Sequence, residues 1–219
     1  MVSHERIYQL IRADKKGGGN LYKFTRHRLK HRKRPVGGKK VIIKNRRSIH
    51  ERPTIIDQKS RLGDWEIDTI VGPNNQGAIV TIVERKTGFL MMEPLPQGKN
   101  ARALAKCVIN MMAPFKENVH SITADNGTEF TEHQLIAKKL NTHFFFADPY
   151  SSWQRGLNEY TNKLIRQYIP KKQPLKTFNN HDIKQIQLKI NGRPRKKLKF
   201  YPPKDLFFRY LNQKVALAS

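Results

Sequence analysis

The sequence predicts an α/β domain: a hairpin-led mixed sheet of five strands in the order βββαβαβα, flanked by helices and set between basic N- and C-terminal extensions. Three observations predict it. Three short strand-like runs, the first alternating with period two along DWEIDTIV, follow one another through residues 64–95 and are separated by turn sequences. Two later apolar runs are too short for helices and are each followed by a segment of helical period. Finally, charge is partitioned along the chain. Residues 1–62 carry 19 basic and 4 acidic side chains and residues 161–219 carry 15 and 2, whereas residues 63–160 carry 9 and 11. A near-neutral middle between two basic arms reads as a folded centre with flanks that hold a polyanion.

Taken in order, SHERIYQLIRADK places Ile7, Leu10 and Ile11 at helical spacing behind a Ser3 cap, and GGGN at 17–20 ends that helix. The segment KFTRHRLKHRKRPVGGKK is dense in like charge and poor in apolar residues, so it is expected to be extended or disordered off nucleic acid. ERPTIIDQKSRLG leads into the core. DWEIDTIV is the first strand, with Trp65, Ile67, Thr69 and Val71 on one face and Glu66, Asp68 and Ile70 on the other. PNNQG is a turn, AIVTIVER the second strand, RKTG a turn and FLMMEPL the third strand. Residues 99–113 form an amphipathic helix burying Leu104, Val108 and Met111, with Cys107 a small packed residue. SITAD gives the fourth strand, FTEHQLIAKKL a helix, residues 144–147 the fifth strand, and RGLNEYTNKLIRQYI the last core helix. A further helix over about 179–191 precedes the basic NGRPRKKLKFYPP and the amphipathic DLFFRYL. The domain reading is therefore 1–62 as N-terminal extension, 63–170 as core and 171–219 as basic helical extension.

The net charge of +26 makes nucleic acid the expected partner. A single cysteine excludes an intramolecular disulfide and a paired-cysteine zinc site, and no window reaches the roughly 18 apolar residues of a membrane span. A soluble, intracellular protein is the expectation.

Against this basic background the stretch DNGTEF stands out, because residues 119–130 contain no lysine or arginine to neutralise Asp125. Asp68 lies mid-strand, Asp125 at the end of the fourth strand and Glu159 in the first turns of the last core helix. Strand ends of an α/β sheet and the helix that follows share one edge, where sites are usually built. Hard divalent cations take such oxygens, and two of them would clamp the two oxygens of an in-line phosphodiester displacement. Gly127 is expected to turn the chain away and leave the Asp125 carboxylate free. The structural alternatives stay open: Asp125 as a turn cap, Asp64 and Glu66 as surface or capping acids, and Asn158–Glu159 as a solvated helix face.

GDWEIDTIVG, TADNGTEF and DPYSSWQRGLNEYTNKLIRQYIPK resemble, in order and spacing, the DDE transposases of the insertion sequence thirty family, whose core has the ribonuclease H-like integrase fold. Asp125 and Glu159 are separated by 33 residues, the interval of that family. The resemblance continues through NGRPRKKL and implies that Asp68, Asp125 and Glu159 form a triad binding magnesium or manganese, as two ions. It implies a transposase that cleaves and joins DNA at element ends, with target DNA as second substrate, acting as a homo-oligomer on DNA, cytoplasmic and nucleoid-associated in a bacterium. It also implies that Arg166, seven residues after Glu159, shares its helical face and touches DNA.

Phosphate contacts are expected from Lys163 and Arg155, from Arg193, Arg195, Lys196 and Lys197, and from the 23–47 arm with Arg26, Arg28, Lys30, Arg32, Lys33 and Arg34. Trp153, Gln154 and Arg155 are expected to shape the loop beside the scissile strand, with core packing the alternative for Trp153. Where the family usually continues Asn-Glu-Asn and then a glycine, this chain has Tyr160 and Lys163, which leaves the acids in place and changes what packs beside them. The family also carries helix-turn-helix segments ahead of this region, so the chain is expected to be an N-terminal truncation of the pattern. Two rivals remain: a decayed transposase that coats DNA without cutting it, and a basic RNA-binding protein for which charge alone suffices. An intact triad argues against both.

Overall fold

The computed structural model describes residues 2–26, 28–29, 42–96, 98–149 and 151–216. The chain forms two compact units, Met1–Lys40 and Val41–Ser219. In the first, helix α1 spans His4–Lys16, its first turn capped by the Ser3 hydroxyl, which accepts from the Arg6 amide at 3.3 Å. Asp14 accepts from the Leu21 amide at 3.0 Å and Lys15 lies 4.5 Å over the Tyr22 ring, folding a short 3-10 turn back on the helix. The apolar stripe expected on α1 is present, yet Ile7 and Leu10 are exposed. Arg26 and Arg28 are exposed as well. Lys30, Arg32, Lys33 and Arg34 lie outside the described residues.

The second unit is a five-stranded sheet of order β3-β2-β1-β4-β5. The strands are β1 (Asp64–Val71), β2 (Ala78–Glu84), β3 (Leu90–Leu95), β4 (Ser121–Ala124) and β5 (His143–Phe146). The first three are antiparallel neighbours, whereas β4 pairs in parallel with both β1 and β5. The mixed sheet is thus the expected one, and helices cover both of its faces.

Period-two alternation sorts each strand's side chains between two cores. On one face Trp65, Ile67, Val80, Ile82 and Ile122 pack with Leu104, Val108 and Met112 of α3 (Ala101–Met112), with Ile136 of α4 (His133–Leu140), and with Phe207 of α7 (Pro203–Ala216). On the other, Ile70, Ile79, Val83 and Met92 meet Leu164 and Ile165 of α5 (Gly156–Ile165) and Ile183, Ile186 and Ile190 of α6 (Asn180–Gly192). A short helix, α2 (Thr54–Gln58), seats Ile56 at the start of this unit. On α3 the fully buried positions are Leu104, Ala105, Val108 and Met112; Met111, expected inside, is half-buried at the margin. Gly63 turns the chain into β1 at φ +103, and a methyl there would lie 2.1 Å from the Asn118 carbonyl oxygen.

Several acids of the near-neutral centre are interior struts. Asp64 accepts from both arms of the Arg61 guanidinium at 2.8 and 2.9 Å and from the Ser121 hydroxyl at 2.6 Å. Glu66 is paired with Arg85, both side chains buried. Glu84 accepts from the amides of Gly63, Lys86 and Thr87, and burial raises its pKa against those bonds. Asp64 and Glu66 are therefore neither surface nor capping acids, as a reading confined to neighbouring residues allowed.

Cys107 packs beside Met111, and burial pushes its thiol pKa up to about 11. The thiolate is the nucleophile, so at pH 8 only roughly one molecule in a thousand is reactive. Alkylation by iodoacetamide in the folded protein is expected to be slow at pH 8 and to rise through pH 10; fast labelling at pH 8 would contradict this packing.

Candidate active site

Helix α5 lies along β1, and the fit is one of repeat lengths. Four helical residues rise about 6 Å and two strand residues about 6.6 Å, so a step of four along α5 nearly matches a step of two along β1, as from Asn158 and Glu66 to Asn162 and Asp68. Glu66 accepts from the Asn158 amide at 3.1 Å, Asp68 from the Asn162 side-chain amide at 2.8 Å, and the Val71 carbonyl from Arg166 at 3.3 Å. The ladder orients the Asp68 carboxylate toward the helix, and its other oxygen accepts from the Thr69 amide at 2.9 Å.

Asp125 follows directly on β4. Its Oδ1 accepts from the Gly127 amide at 2.9 Å, so it does cap its own turn. Its Oδ2 is 3.2 Å from Arg155, whose other terminal nitrogen lies 3.7 Å from Asp68. One guanidinium thus bridges two carboxylates delivered by two strands. The absence of basic residues near Asp125 in sequence did not leave it free: its partner comes from 30 residues away. Burial raises the Asp68 pKa, with Arg155 opposing that shift and Asp125 adding to it. Gly127 sits at φ −64, open to any residue, so it is not there for a left-handed turn. A methyl group on it would lie 2.5 Å from Glu129 and 2.9 Å from Asp125, so any larger residue would push one or both carboxylates aside.

Glu159 stands on the exposed side of α5 and pairs with Lys163 at 3.1 Å. The structure brings Asp68 and Asp125 together and leaves Glu159 turned to solvent. Among the described residues no three acids, histidines or cysteines form a metal-holding group. Glu159 lies three residues before Asn162, the donor to Asp68, and the two are neighbours on the surface of α5. The donor set fits a divalent cation. The oxygens are hard, two carboxylates converge, and a positive group already stands between them.

Sequence reasoning missed Asn162, the donor to Asp68, and a clamp beneath the site. Glu129 is buried, accepts from Thr69 at 2.7 Å and Lys99 at 2.6 Å, and has a lowered pKa because these bonds outweigh its burial. Glu129 was in plain view within DNGTEF; Lys99 carries no local signal.

Other expected contacts sort differently. Trp153 is 73% exposed, which excludes core packing, and Gln154 secures Asp148. Arg46 bonds to Asn126 and Arg47 stacks 5.0 Å from Phe145, so the end of the basic 23–47 arm belongs to the fold rather than to a free tail. Arg166 caps α5, and its guanidinium is half-buried on the carbonyls of Val71 and Ile169. Arg193 reaches Gln167 at 3.3 Å, Arg195 lies 5.9 Å over Tyr160, and Lys196 and Lys197 are in a 3-10 turn. Tyr160 is half-exposed and packs into neither core.

The Integrase core domain family model matches residues 58–152. The chain is 47% identical over 223 residues to the transposase for insertion sequence element IS4351 of Bacteroides fragilis, covering 100% of this chain and 68% of that protein. It is 36% identical over 185 residues to the transposase InsI for insertion sequence element IS30A of Escherichia coli, covering 84% of this chain and 48% of that protein. The chain thus spans between half and about two thirds of the length of these relatives. The catalytic core domain of BIV integrase superposes with a TM-score of 0.54 at 18% identity, covering 69% of this chain and 97% of that one, and carries the same ribonuclease H-like sheet. With its strand order, its paired carboxylates and this degree of identity, the chain belongs to the insertion sequence thirty family of transposases, built on the integrase core.

Proposed function

We propose that this chain is the catalytic core of a polynucleotidyl transferase that cleaves DNA at insertion-sequence ends and joins the freed end to target DNA, with Asp68, Asp125 and Glu159 as its metal-binding triad. The observation that carries the reading is the convergence of Asp68 and Asp125 on one cationic group, the Arg155 guanidinium. Two magnesium or manganese ions bound there would supply Lewis-acid stabilisation of the charge on the scissile phosphate. The chain's own residues supply position. Asn162 and the Thr69 amide hold Asp68, the Gly127 amide and its close-packed turn hold Asp125, and the Glu129–Lys99–Thr69 clamp ties that turn to β1. Glu159, which here pairs with Lys163, would complete the set that holds the metal. Arg155, which also donates to the Ile67 carbonyl at 3.3 Å, would be the cation beside the site for the phosphate backbone.

In this reading residues 63–170 carry the chemistry, and 1–62 and 171–219 hold DNA. The phosphate contacts are Lys163, Arg155, Arg193, Arg195, Lys196 and Lys197, with Arg26, Arg28, Lys30, Arg32, Lys33 and Arg34 on the arm. Arg166 contributes by bracing α5 on β1, and its outer edge alone remains for DNA. In this reading the protein works as a homo-oligomer on DNA at the nucleoid. No helix among the described residues is long and apolar enough to cross a membrane. Nicking of a duplex bearing an element end, with and without magnesium or manganese, tests the reading; no metal-dependent nicking would refute it.

Deleting residues 23–40, which spares the docked Arg46 and Arg47, is expected to weaken binding to any duplex. The log-log salt slope should flatten by about one unit for each phosphate that the arm had neutralised. An unchanged slope would show that this arm does not lie on phosphate.

A further inference from the structure

A cleft of about 1260 Å³ runs along α5, and its lining includes none of Asp68, Asp125, Arg155 and Glu159. One wall is α5 itself, with Leu157, Tyr160 and Leu164; the other is the segment Arg193–Leu198, and the floor is residues 52–59 with the turn after β2. Its lining holds eight lysines and arginines against two acids, Asp57 and Glu66. Both acids are already engaged. Glu66 is paired with Arg85, and Asp57 with Arg52 and, at 3.9 Å, with Arg85.

Among the described residues these pairs leave Lys59, Lys196 and Lys197 without a carboxylate. The cleft is crowded with positive charge: burial lowers the pKa of Lys59, and repulsion from Arg85 and Lys197 lowers it further. Arg52, its side chain 5% exposed, has a buried Nε with no acceptor. Cations held together without counter-charge are stabilised by an anion that the fold itself does not provide.

The cleft also has two flat aromatic faces. Trp153 is 73% exposed and Tyr160 52% exposed, and the second already has Arg195 across its ring. Aromatic rings interleaved with lysines match an unpaired polynucleotide, whose base faces are open, rather than a duplex, whose base faces are covered by stacking.

We propose that this cleft binds a single strand of DNA, separately from the carboxylate site, with bases stacked on Trp153 and Tyr160 and phosphates against Lys59, Lys196 and Lys197. The proposal rests on the transposase reading only in naming DNA as the polymer. Strand separation at a cut end supplies such a strand, and the cleft would keep it from re-annealing beside the site.

The test uses the full chain in EDTA, so that no cutting takes place. Trp65 is 1% exposed, which leaves Trp153 as the tryptophan open to quenching. A short oligothymidylate should quench its fluorescence, and a duplex of the same length should not. Trp153→Ala and Tyr160→Ala should each weaken oligothymidylate binding about tenfold, and Tyr160→Phe should not. Duplex affinity should change by less than about twofold in all three. Lys59→Ala and Lys197→Ala should each lower the single-strand salt slope by about 0.7. Binding without quenching, or equal losses on single strand and duplex in Trp153→Ala and Tyr160→Ala, would overturn the proposal. Because the assay contains no metal and measures no cutting, its failure leaves the transferase reading standing, and a failure to nick leaves this result standing.

Discussion

Asp125→Asn and Glu159→Gln each abolish metal-dependent nicking, by a factor expected to exceed about a thousand, while the fold and duplex affinity persist. An amide keeps the shape of the carboxylate and loses the negative charge that a hard divalent cation requires. For Asp125 the turn survives the change, because the asparagine side-chain oxygen can still accept from the Gly127 amide. Glu159 is 53% exposed at its side chain and pairs only with Lys163 on the surface, so its replacement removes little stability. The two variants therefore separate chemistry from folding. Circular dichroism and duplex binding at fixed salt serve as controls beside the nicking assay. Wild-type nicking in either variant would remove that acid from the triad.

Arg85→Ala is expected to destabilise the domain by about 3–5 kcal/mol, because it strands a buried carboxylate. Glu66 is 1% exposed, and its remaining bond comes from the Asn158 amide. The same substitution cuts the Arg85 link to the Ile56 carbonyl, loosening the segment that leads into β1. Removing both charges by Glu66→Leu with Arg85→Leu should recover much of the loss, since no charge then remains buried without a partner. Thermal melts of the two variants and the parent protein check this. Equal melting points for Arg85→Ala and the parent protein would show that the pair carries no stability, and a double variant no better than the single one would place the cost in poorer packing.

Much of the active-site region was legible because it is written locally. Alternation along DWEIDTIV assigned Glu66, Asp68 and Ile70 to one face, and Ile70 does join the core opposite that of Trp65 and Ile67. Each short strand with its following helix announced itself by a change of period, and the Ser3 cap of α1 needed only a hydroxyl at the right offset. Such features depend on residues within a few positions of one another, which is the range over which a linear reading works.

What sequence alone determined, then, is the inventory: five strands, their helices, a near-neutral centre in which Asp68, Asp125 and Glu159 stand out among eleven acids, and a large excess of positive charge around it. Tertiary structure decided how the charges pair. Asp125 looked free and meets Arg155; Glu66, open to reading as a surface or capping acid, is buried against Arg85; Trp153 was as compatible with the core as with solvent and stands exposed; Arg166 also braces α5 on β1, which its place in the sequence did not announce. The physical reason lies in the close match of repeats between α5 and β1, which sets the helix at one register along the strand. That register places Asn158 at Glu66 and Asn162 at Asp68, partners separated by more than ninety residues that no local pattern could have joined.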